Sequence, residues 1–239
     1  MVTDGCMPFP AASGWGIRIA VIDSGINLGH PHIQAATCGM VLFPEDGSDA
    51  ADTLGHGTAV TAAIQEKAPD ADYTALKLFG NTLRTSSSRL LQAIEWTVEN
   101  RFNLVNLSLG APNLDLREAM EALVERARMA GTILVAARQV GEQPVLPGML
   151  AGVISADVDW NLPRHGYRTD PERTSCFFAS GFPRSIPGVP PARNLSGISF
   201  AVANLTGIIA RALEKAPDRS LDTIRARMAA EAQRLAGCS

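Results

Sequence analysis

A turn containing glycine leads into an apolar segment of small residues in the stretch Asn194-Leu195-Ser196-Gly197-Ile198-Ser199-Phe200-Ala201-Val202-Ala203-Asn204. The pattern predicts that Ser199 lies where a helix begins, at a position where unpaired backbone N–H groups and the positive end of the helix dipole converge. An attacking oxygen and a developing oxyanion can be stabilised together there. A serine that merely caps a helix fits the same local pattern, so the interpretation depends on the rest of the chain.

Two further segments supply the groups that a serine nucleophile needs. The apolar run Ile17-Arg18-Ile19-Ala20-Val21-Ile22 is rich in β-branched residues and ends at Asp23, which predicts a buried strand with this carboxylate at its carboxyl end. His56 stands between two glycines and precedes small and apolar residues at helical spacing, so it is predicted at the mouth of a helix. Serine chemistry requires a base for the hydroxyl proton and a buried carboxylate that orients the imidazole. Asp23, His56 and Ser199 follow one known chain order of that set.

Short blocks around these residues carry a family resemblance. The three catalytic blocks of the subtilisin-like serine peptidases (subtilases) resemble Val21-Ile22-Asp23-Ser24-Gly25, Gly55-His56-Gly57-Thr58 and Gly197-Ile198-Ser199-Phe200-Ala201. The family's substrate-binding strand is similar to Val105-Asn106-Leu107-Ser108-Leu109-Gly110, and the strand before its oxyanion-hole residue is similar to Ile133-Leu134-Val135-Ala136-Ala137. The order and approximate spacing agree, and the resemblance extends over about residues 15 to 215.

The resemblance implies an α/β protein with the three-layer subtilisin-like fold, in which a mostly parallel central sheet carries helices on both faces. It assigns residues 15–239 to the peptidase domain and leaves residues 1–14 as an N-terminal extension. The family's catalytic roles fall on Asp23, His56 and Ser199. Its substrate-binding roles fall on Ser108, Leu109, Gly110, Ala136, Ala137 and Val145.

The oxyanion-hole segment departs from the family pattern. Where the family has Ala-Ala-Gly-Asn, with the asparagine amide donating to the oxyanion, this chain has Ala136-Ala137-Arg138-Gln139. Gln139 carries the same amide donor on a stem one methylene longer, so it is predicted to serve the oxyanion together with the backbone N–H of Ser199. Arg138 is interpreted as a substitute donor, as a ligand for a substrate carboxylate, or as a surface arginine.

Other departures lie close to the predicted site. The family loop that closes the primary specificity pocket resembles Gln143-Pro144-Val145-Leu146-Pro147-Gly148. Val145 falls where many relatives carry glycine, which predicts a shallower pocket and a small residue before the cleaved bond. In the helix that follows the serine, Ala203 and Asn204 stand where proline and histidine are typical, and Ile198 replaces a threonine.

Composition limits the classes of partner. The chain has 239 residues, 46% hydrophobic and 19% charged, and can bury a full core in one large α/β domain. The formal net charge is -3 with both signs interspersed, which argues against a nucleic acid or an anionic membrane surface. No apolar run approaches the roughly 20 residues of a membrane span and no signal peptide is visible, so a cytoplasmic protein is expected. The expected partner is a peptide or protein substrate; the sequence does not determine the oligomeric state.

The cysteines are scattered, at Cys6, Cys38, Cys176 and Cys238. Their spacing fits neither a zinc site nor a dense disulfide scaffold, so reduced structural thiols are expected. A pairing of Cys6 with Cys238 under oxidation stays open.

No metal or other cofactor is predicted. His30 and His32 lie in a turn beyond Asp23 without a clustered acid or cysteine, so they are interpreted as exposed loop histidines, although this turn can also line a cleft. The acidic stretch 45–52 lacks the full calcium-loop pattern and is interpreted as a solvated loop that leads to His56. The polar, basic segment 159–174 is likewise predicted to be a solvated loop, with a recognition loop for an acidic part of a partner peptide as the alternative.

The predicted function is that of a serine endopeptidase with an Asp-His-Ser triad. Its specific form is a dedicated cytoplasmic protease that matures a precursor peptide by removing its leader. A pseudopeptidase that binds peptides is the alternative, because lost catalysis would leave changes such as those at Arg138, Gln139, Ile198, Ala203 and Asn204. An esterase or acyltransferase with the same triad is a third class, distinguished by turnover of small esters but not of peptides.

Overall fold

The computed structural model describes residues 7–34, 37–43, 49–80, 82 and 85–236. Its strands are β1 (Arg18–Asp23), β2 (Cys38–Val41), β3 (Asp72–Lys77), β4 (Leu104–Leu107), β5 (Ile133–Ala137), β6 (Gln139–Val140), β7 (Gln143–Pro144), β8 (Ile154–Val158), β9 (Tyr167–Thr169) and β10 (Cys176–Ala179). Its α-helices are α1 (His56–Gln65), α2 (Ser87–Glu99), α3 (Arg117–Ala130), α4 (Ile198–Glu214) and α5 (Leu221–Ala236).

An eight-stranded sheet lies at the centre, in the order β2-β3-β1-β4-β5-β8-β10-β9. Its neighbouring strands are parallel except β9, which runs antiparallel to β10. Parallel strands bring their carboxyl ends to one edge of the sheet. Ile22 pairs with Leu107, and Leu107 with Ala136, so the residues that follow each of these three share that edge.

Helices cover both faces of the sheet. Ile19 and Val21 of β1 belong to the core that includes α1, α4 and α5, whereas Ala20 and Ile22 belong to the core that includes α2 and α3. Successive side chains of a strand point to opposite faces, so a strand segment buried on both sides is apolar at every position, as Ile19-Ala20-Val21-Ile22 of β1 is. This arrangement is the predicted three-layer α/β fold.

Helix α4, which contains Ser199 and the apolar residues that follow it, lies inside the domain. Its residues from Phe200 to Leu213 are all buried, because it packs against the sheet and also against α1 and α5. Gly197 precedes the helix at φ 147°, a backbone conformation that favours glycine. The turn and the apolar helix therefore deliver Ser199 to the first turn of α4.

The segment 159–174 differs from its prediction as a solvated loop, because it contains β9. Tyr167 of this strand is 4% exposed. Its hydroxyl donates a hydrogen bond to the backbone oxygen of Met228 at 2.6 Å. A strand of three residues is too short for a two-residue period to stand out in a sequence, so neither the pairing nor the buried tyrosine was predictable.

Residues 7–14 pack against α4 and α5. The Glu214 carboxylate of α4 accepts hydrogen bonds from three successive backbone N–H groups, those of Ser13, Gly14 and Trp15. Arg211 donates to the carbonyl oxygens of Pro8 and Phe9. The division into an extension, 1–14, and a domain, 15–239, stays a prediction.

Candidate active site

Asp23 and His56 meet at the carboxyl edge of the sheet. His56 is the first residue of α1, and its Nδ1 lies 2.8 Å from Oδ1 of Asp23, the last residue of β1. The two side chains are 14% and 1% exposed. A Cβ at Gly57 would lie 2.4 Å from the backbone oxygen of Gly25, so only glycine lets α1 begin this close to the end of β1.

The surroundings of Asp23 favour a charged imidazole next to it. The backbone N–H of Ser24 donates to Asp23 Oδ1 at 2.7 Å, while Oδ2 is buried without a hydrogen-bond partner among the described residues. Burial alone would lower the pKa of His56, but the hydrogen bond and the charge of Asp23, with a further contribution from Asp52, raise that pKa above its ordinary value.

Asp52 is a functional residue that the sequence interpretation missed, because it was treated as part of a solvated loop. Its carboxylate accepts hydrogen bonds from the N–H and hydroxyl of Thr58, the hydroxyl of Ser24 and the N–H of Gly55. Burial acts to raise the pKa of Asp52, but these donors hold it below its ordinary value. The signal available in the sequence was an aspartate shortly before a predicted helix, the usual position of a capping acid.

Ser199 lies in the first turn of α4. Its Oγ donates a hydrogen bond to the backbone oxygen of Ser108 at 3.1 Å, and Ser108 Oγ donates to the backbone oxygen of Ser199 at 3.3 Å. In the described structure no hydrogen bond joins Ser199 to His56. The His56 ring nevertheless lies 5.8 Å from the ring of Phe200, centroid to centroid, so the imidazole stands beside the first turn that carries the serine.

A buried polar chain joins this turn to the sheet. Asn106, fully buried within β4, donates from Nδ2 to Ser108 Oγ at 2.8 Å and accepts from the hydroxyl of Thr206 on α4 at 3.0 Å. Hydrogen bonds in such a low-dielectric setting fix geometry strongly. The signal missed in the sequence was a polar asparagine in the middle of the apolar strand Leu104-Val105-Asn106-Leu107.

Gln139 lies at the start of the β6–β7 hairpin. Its Oε1 accepts a hydrogen bond from Nη2 of Arg138, and the same Nη2 stands 3.4 Å from Asp157 Oδ2. Within the described ranges nothing accepts a hydrogen bond from Gln139 Nε2, and no contact joins Gln139 to Ser199. The guanidinium therefore holds the amide oxygen and leaves the amide donor unpaired.

The residues predicted to bind substrate come together at the ends of β4 and β5. Val145 is 2% exposed, and a Cβ at Gly110 would lie 2.3 Å from Val145 Cγ2. The N–H of Val145 donates to the backbone oxygen of Arg138 at 3.1 Å. The adjacent Ala111 and Leu146 exchange backbone hydrogen bonds of 2.9 Å. Gly110, which follows Ser108 and Leu109, therefore lies against Val145, whereas Ala136 and Ala137 are buried within β5, in the cores on opposite faces of the sheet.

The described residues include no cluster of three or more His, Cys, Asp or Glu side chains that could hold a metal ion. Part of the acidic stretch, residues 45–48, lies outside those residues, as do Cys6 and Cys238. Cys38 and Cys176 are free thiols. No helix of the described ranges has the length and apolar character needed to cross a membrane.

Comparison with known proteins identifies the family. Residues 14–141, more than half of the 239 residues, match the sequence profile of the Subtilase family. The chain is 31% identical, over 90% of its length, to the thermostable alkaline protease of Halalkalibacterium halodurans. It is 30% identical, over 52% of its length, to subtilisin E of Bacillus subtilis. The protein belongs to the subtilase family, as its catalytic blocks predict.

The matches cover 62% of the length of the alkaline protease and 34% of that of subtilisin E. Two solved structures share the fold. The prenylagaramide maturation protease PagA superposes with a TM-score of 0.63 at 25% identity, covering 83% of this chain and 75% of that one. A cold adapted subtilisin-like serine proteinase superposes with a TM-score of 0.73 at 17% identity, covering 92% and 83%. The predicted subtilisin-like fold is confirmed.

Proposed function

We propose that the protein is a serine endopeptidase in which Asp23, His56 and Ser199 form the catalytic triad. The observation that carries the proposal is the 2.8 Å contact of His56 Nδ1 with the buried carboxylate of Asp23. A carboxylate in that position holds the tautomer whose Nδ1 bears the proton and whose Nε2 accepts one. Family membership, and relatives whose names describe proteases, support the same activity.

In the proposed reaction, Ser199 turns its hydroxyl from the Ser108 carbonyl toward His56 Nε2. The imidazole accepts the hydroxyl proton while Oγ bonds to the scissile carbonyl carbon. The imidazolium then gives this proton to the leaving amine, the C–N bond breaks, and the acyl group stays on Ser199. A water molecule that gives a proton to His56 then attacks the acyl carbon. The bond between Oγ and this carbon breaks, the imidazolium returns its proton to Oγ, and the second product leaves as a carboxylic acid.

The oxyanion is assigned to two donors, the backbone N–H of Ser199 and Nε2 of Gln139. Arg138 supports this assignment, because a guanidinium that holds Oε1 fixes which end of the amide is available for donation. In this proposal Arg138 is a positioning residue rather than a substitute donor. The amide then needs little reorientation when negative charge develops on the substrate oxygen.

The substrate is proposed to bind as an extended backbone along Ser108, Leu109 and Gly110. Main-chain pairing of that kind does not depend on the side chains, so specificity has to come from pockets. Val145 is proposed to form a wall of the pocket for the residue before the cleaved bond, and Ala136 and Ala137 are proposed to contribute their backbone at the end of β5. Because Val145 fills the space beside Gly110, this pocket is proposed to take glycine, alanine or serine.

The finer proposal is that the protein matures a precursor peptide in the cytoplasm by removing its leader. Similarity to PagA, a protein described as a maturation protease, supports the maturation role. The free thiols of Cys38 and Cys176 fit a reducing compartment. Peptide or protein substrates are the proposed partners, with no nucleic acid.

A second candidate function is compatible with the position of the Ser199 hydroxyl. Because Ser199 Oγ donates to the Ser108 carbonyl and not to His56, a pseudopeptidase that binds peptides without cleaving them fits the resting geometry. Hydrogen bonds of a catalytic serine are often poorly aligned before substrate binds, so this geometry does not favour the pseudopeptidase over the enzyme.

The test is intact-mass analysis after exposure to a fluorophosphonate probe. We expect one adduct on the wild-type protein and none on Ser199→Ala. The matched control is Ser196→Ala, which removes an exposed hydroxyl from the same loop and keeps the adduct. A folded wild-type protein without an adduct would favour the pseudopeptidase, and an adduct with turnover of small esters but of no peptide would favour an esterase.

A further inference from the structure

A cavity of about 330 Å³ opens beside the candidate triad. One wall comes from the start of α1 and includes Gly55, the residue before His56. The other walls come from the turn after β1 and from the loop that leads to Ser199. They include His30, His32, Arg184, Arg193, Asn194 and Leu195.

The charge of this cavity is carried by two arginines, Arg184 and Arg193, that have no carboxylate partner among the described residues. No carboxylate of the described residues forms an ion pair with Arg184 or Arg193. Within the described ranges, the Arg184 side chain donates one hydrogen bond, to the backbone oxygen of His32 at 3.5 Å, and Arg193 is exposed. A guanidinium group without a carboxylate partner in the protein can bind a carboxylate of another molecule.

The acidic group in the lining, Asp52, does not neutralise these cations. Its carboxylate already accepts hydrogen bonds from Ser24 and Thr58 and from backbone N–H groups at the start of α1. The pKa of His32 is lowered from its ordinary value, first by burial and next by the positive charge of Arg184, in agreement with a positively charged cavity. The cavity therefore combines unpaired cations with a carboxylate that is fully used within the protein.

The position of the cavity relates it to one half of a bound peptide. Ser108–Gly110, the proposed site of the residues before the cleaved bond, packs against Val145 and lies outside the lining of the cavity. The two halves of an extended peptide leave the reacting carbonyl in opposite directions. The walls of the cavity are built from the turn after β1 and the loop before Ser199. They are therefore within reach of the half of the peptide that follows the cleaved bond.

We infer that this cavity, the Arg184–Arg193 pocket, binds an acidic side chain of the peptide substrate on the leaving-group side of the cleaved bond. The inference rests on the proposed endopeptidase function and adds a specificity that neither Val145 nor main-chain pairing supplies. Arginine suits the role because its planar N–H groups match the two oxygens of a carboxylate. The apolar side chains of Leu195 and Ile186 in the lining can contact the methylenes of a glutamate.

The test separates binding from cleavage. We would measure the affinity of peptides for the Ser199→Ala protein by fluorescence anisotropy. The peptides are alanine-based dodecapeptides in which each position in turn carries one glutamate or, in the matched peptide, one glutamine. We expect glutamate to bind about ten-fold more tightly than glutamine at one position, as for one charge-assisted hydrogen bond. Arg184→Gln/Arg193→Gln should abolish that preference, and Arg193→Gln alone, at an exposed position, should reduce it.

The control variant also removes two positive charges, but from arginines outside the lining of the cavity. Arg117→Gln/Arg126→Gln, both exposed on α3, should keep the full preference for glutamate. Equal affinity for glutamate and glutamine peptides at every position, including no binding of either, would overturn the pocket. So would a preference that survives in Arg184→Gln/Arg193→Gln.

Wild-type protein, incubated with the same peptides and analysed by mass spectrometry, locates the cleaved bond. The inference requires the preferred glutamate to follow that bond, and a glutamate preferred before it would overturn the assignment to the leaving-group side. A glutamate preference without cleavage of any peptide would instead contradict the endopeptidase while supporting an anion-binding pocket.

Discussion

The side chain of Val145 lies directly against Gly110, close enough that a Cβ on the glycine would come within 2.3 Å of Val145 Cγ2. Where these two residues meet, the proposed pocket for the residue before the cleaved bond has no space for a large side chain. Val145→Gly should therefore admit one and raise kcat/KM for peptides with phenylalanine before the bond by about ten-fold or more. Kinetics with matched alanine and phenylalanine peptides would measure this.

The alanine peptide is the internal control, since a small side chain fits both proteins. An unchanged ratio of phenylalanine to alanine turnover in Val145→Gly would exclude Val145 as the wall of that pocket. Val145→Ala provides an intermediate variant that leaves a smaller cavity in a buried position.

The buried carboxylate of Asp23 should matter more to kcat than to KM. Asp23→Asn keeps the shape of the side chain but removes the charge that orients and stabilises the imidazolium of His56, so we expect kcat to fall by about 10³- to 10⁴-fold. The control is Asp222→Asn on α5, whose side chain is 91% exposed. Steady-state kinetics with a comparable loss in both variants would contradict the triad.

The pH dependence should follow the raised pKa of His56. Catalysis requires the neutral imidazole, so kcat/KM should rise with pH through a midpoint above the ordinary value of 6.5. Removal of the nearby charge in Asp52→Asn should move the midpoint down. A pH–rate profile of both proteins tests this, and a midpoint that is the same in the two would show that Asp52 does not act on His56.

The same histidine should affect stability in the opposite sense. A group whose pKa is higher in the folded than in the unfolded chain stabilises the fold fully below its unfolded pKa, and this contribution is lost as pH rises through the folded pKa. The pair of Asp23 with charged His56 thus stabilises the fold in the pH range where the proposed peptidase would be inactive. Denaturant unfolding of wild type and His56→Ala across this range should show a difference that shrinks as pH rises.

Gln139 should contribute to kcat through its amide donor. Gln139→Glu keeps the shape but replaces the donor, and the loss of one oxyanion donor costs roughly 3 to 4 kcal/mol of transition-state stabilisation. Arg138→Ala should also lower kcat, by less, because the amide remains but is no longer held. Gln143→Glu, in the facing strand of the same hairpin, is the control. A change in KM alone would argue against an oxyanion role.

Acid should unfold the protein partly through Glu66. This carboxylate, at the end of α1, binds Lys67 and Arg164. Burial acts to raise its pKa, but these cations lower it from 4.5 to about 2. The stabilisation, about 2 kcal/mol after allowance for partial exposure, should be complete above pH 4.5 and disappear as pH falls toward 2. Denaturant unfolding of Glu66→Gln, with exposed Glu118→Gln as the control, would show it.

The sequence predicts the features that depend on local pattern. Apolar runs that end in a polar residue predict buried parallel strands, and the small and apolar residues after His56 predict the helix that begins at this residue. The family resemblance follows from those same blocks. The mostly parallel central sheet and the two layers of helices come with the family resemblance and are confirmed by the structure.

Features that depend on long-range packing were not predictable. The carboxylate of Asp52 and the amide of Asn106 acquire their partners only when distant segments meet. Strand β9 is too short to produce a periodic signal, and its pairing depends on β10 being in place. The Arg184–Arg193 pocket is assembled from three separate segments, so no single stretch of sequence contains its signature.

The hydrogen bonds that the Glu214 carboxylate accepts from the N–H groups of Ser13, Gly14 and Trp15 join positions about 200 residues apart. A ribosome releases Ser13 long before Glu214, so the N–H groups of residues 13–15 wait without this partner while the residues between are made. Asp23 and Ser199 are separated almost as widely. Contacts of such long range slow folding, and a polypeptide still being translated cannot yet assemble the triad. In the proposed peptidase, the catalytic groups would therefore come together only after the ribosome has released Ser199 and the helix that carries it.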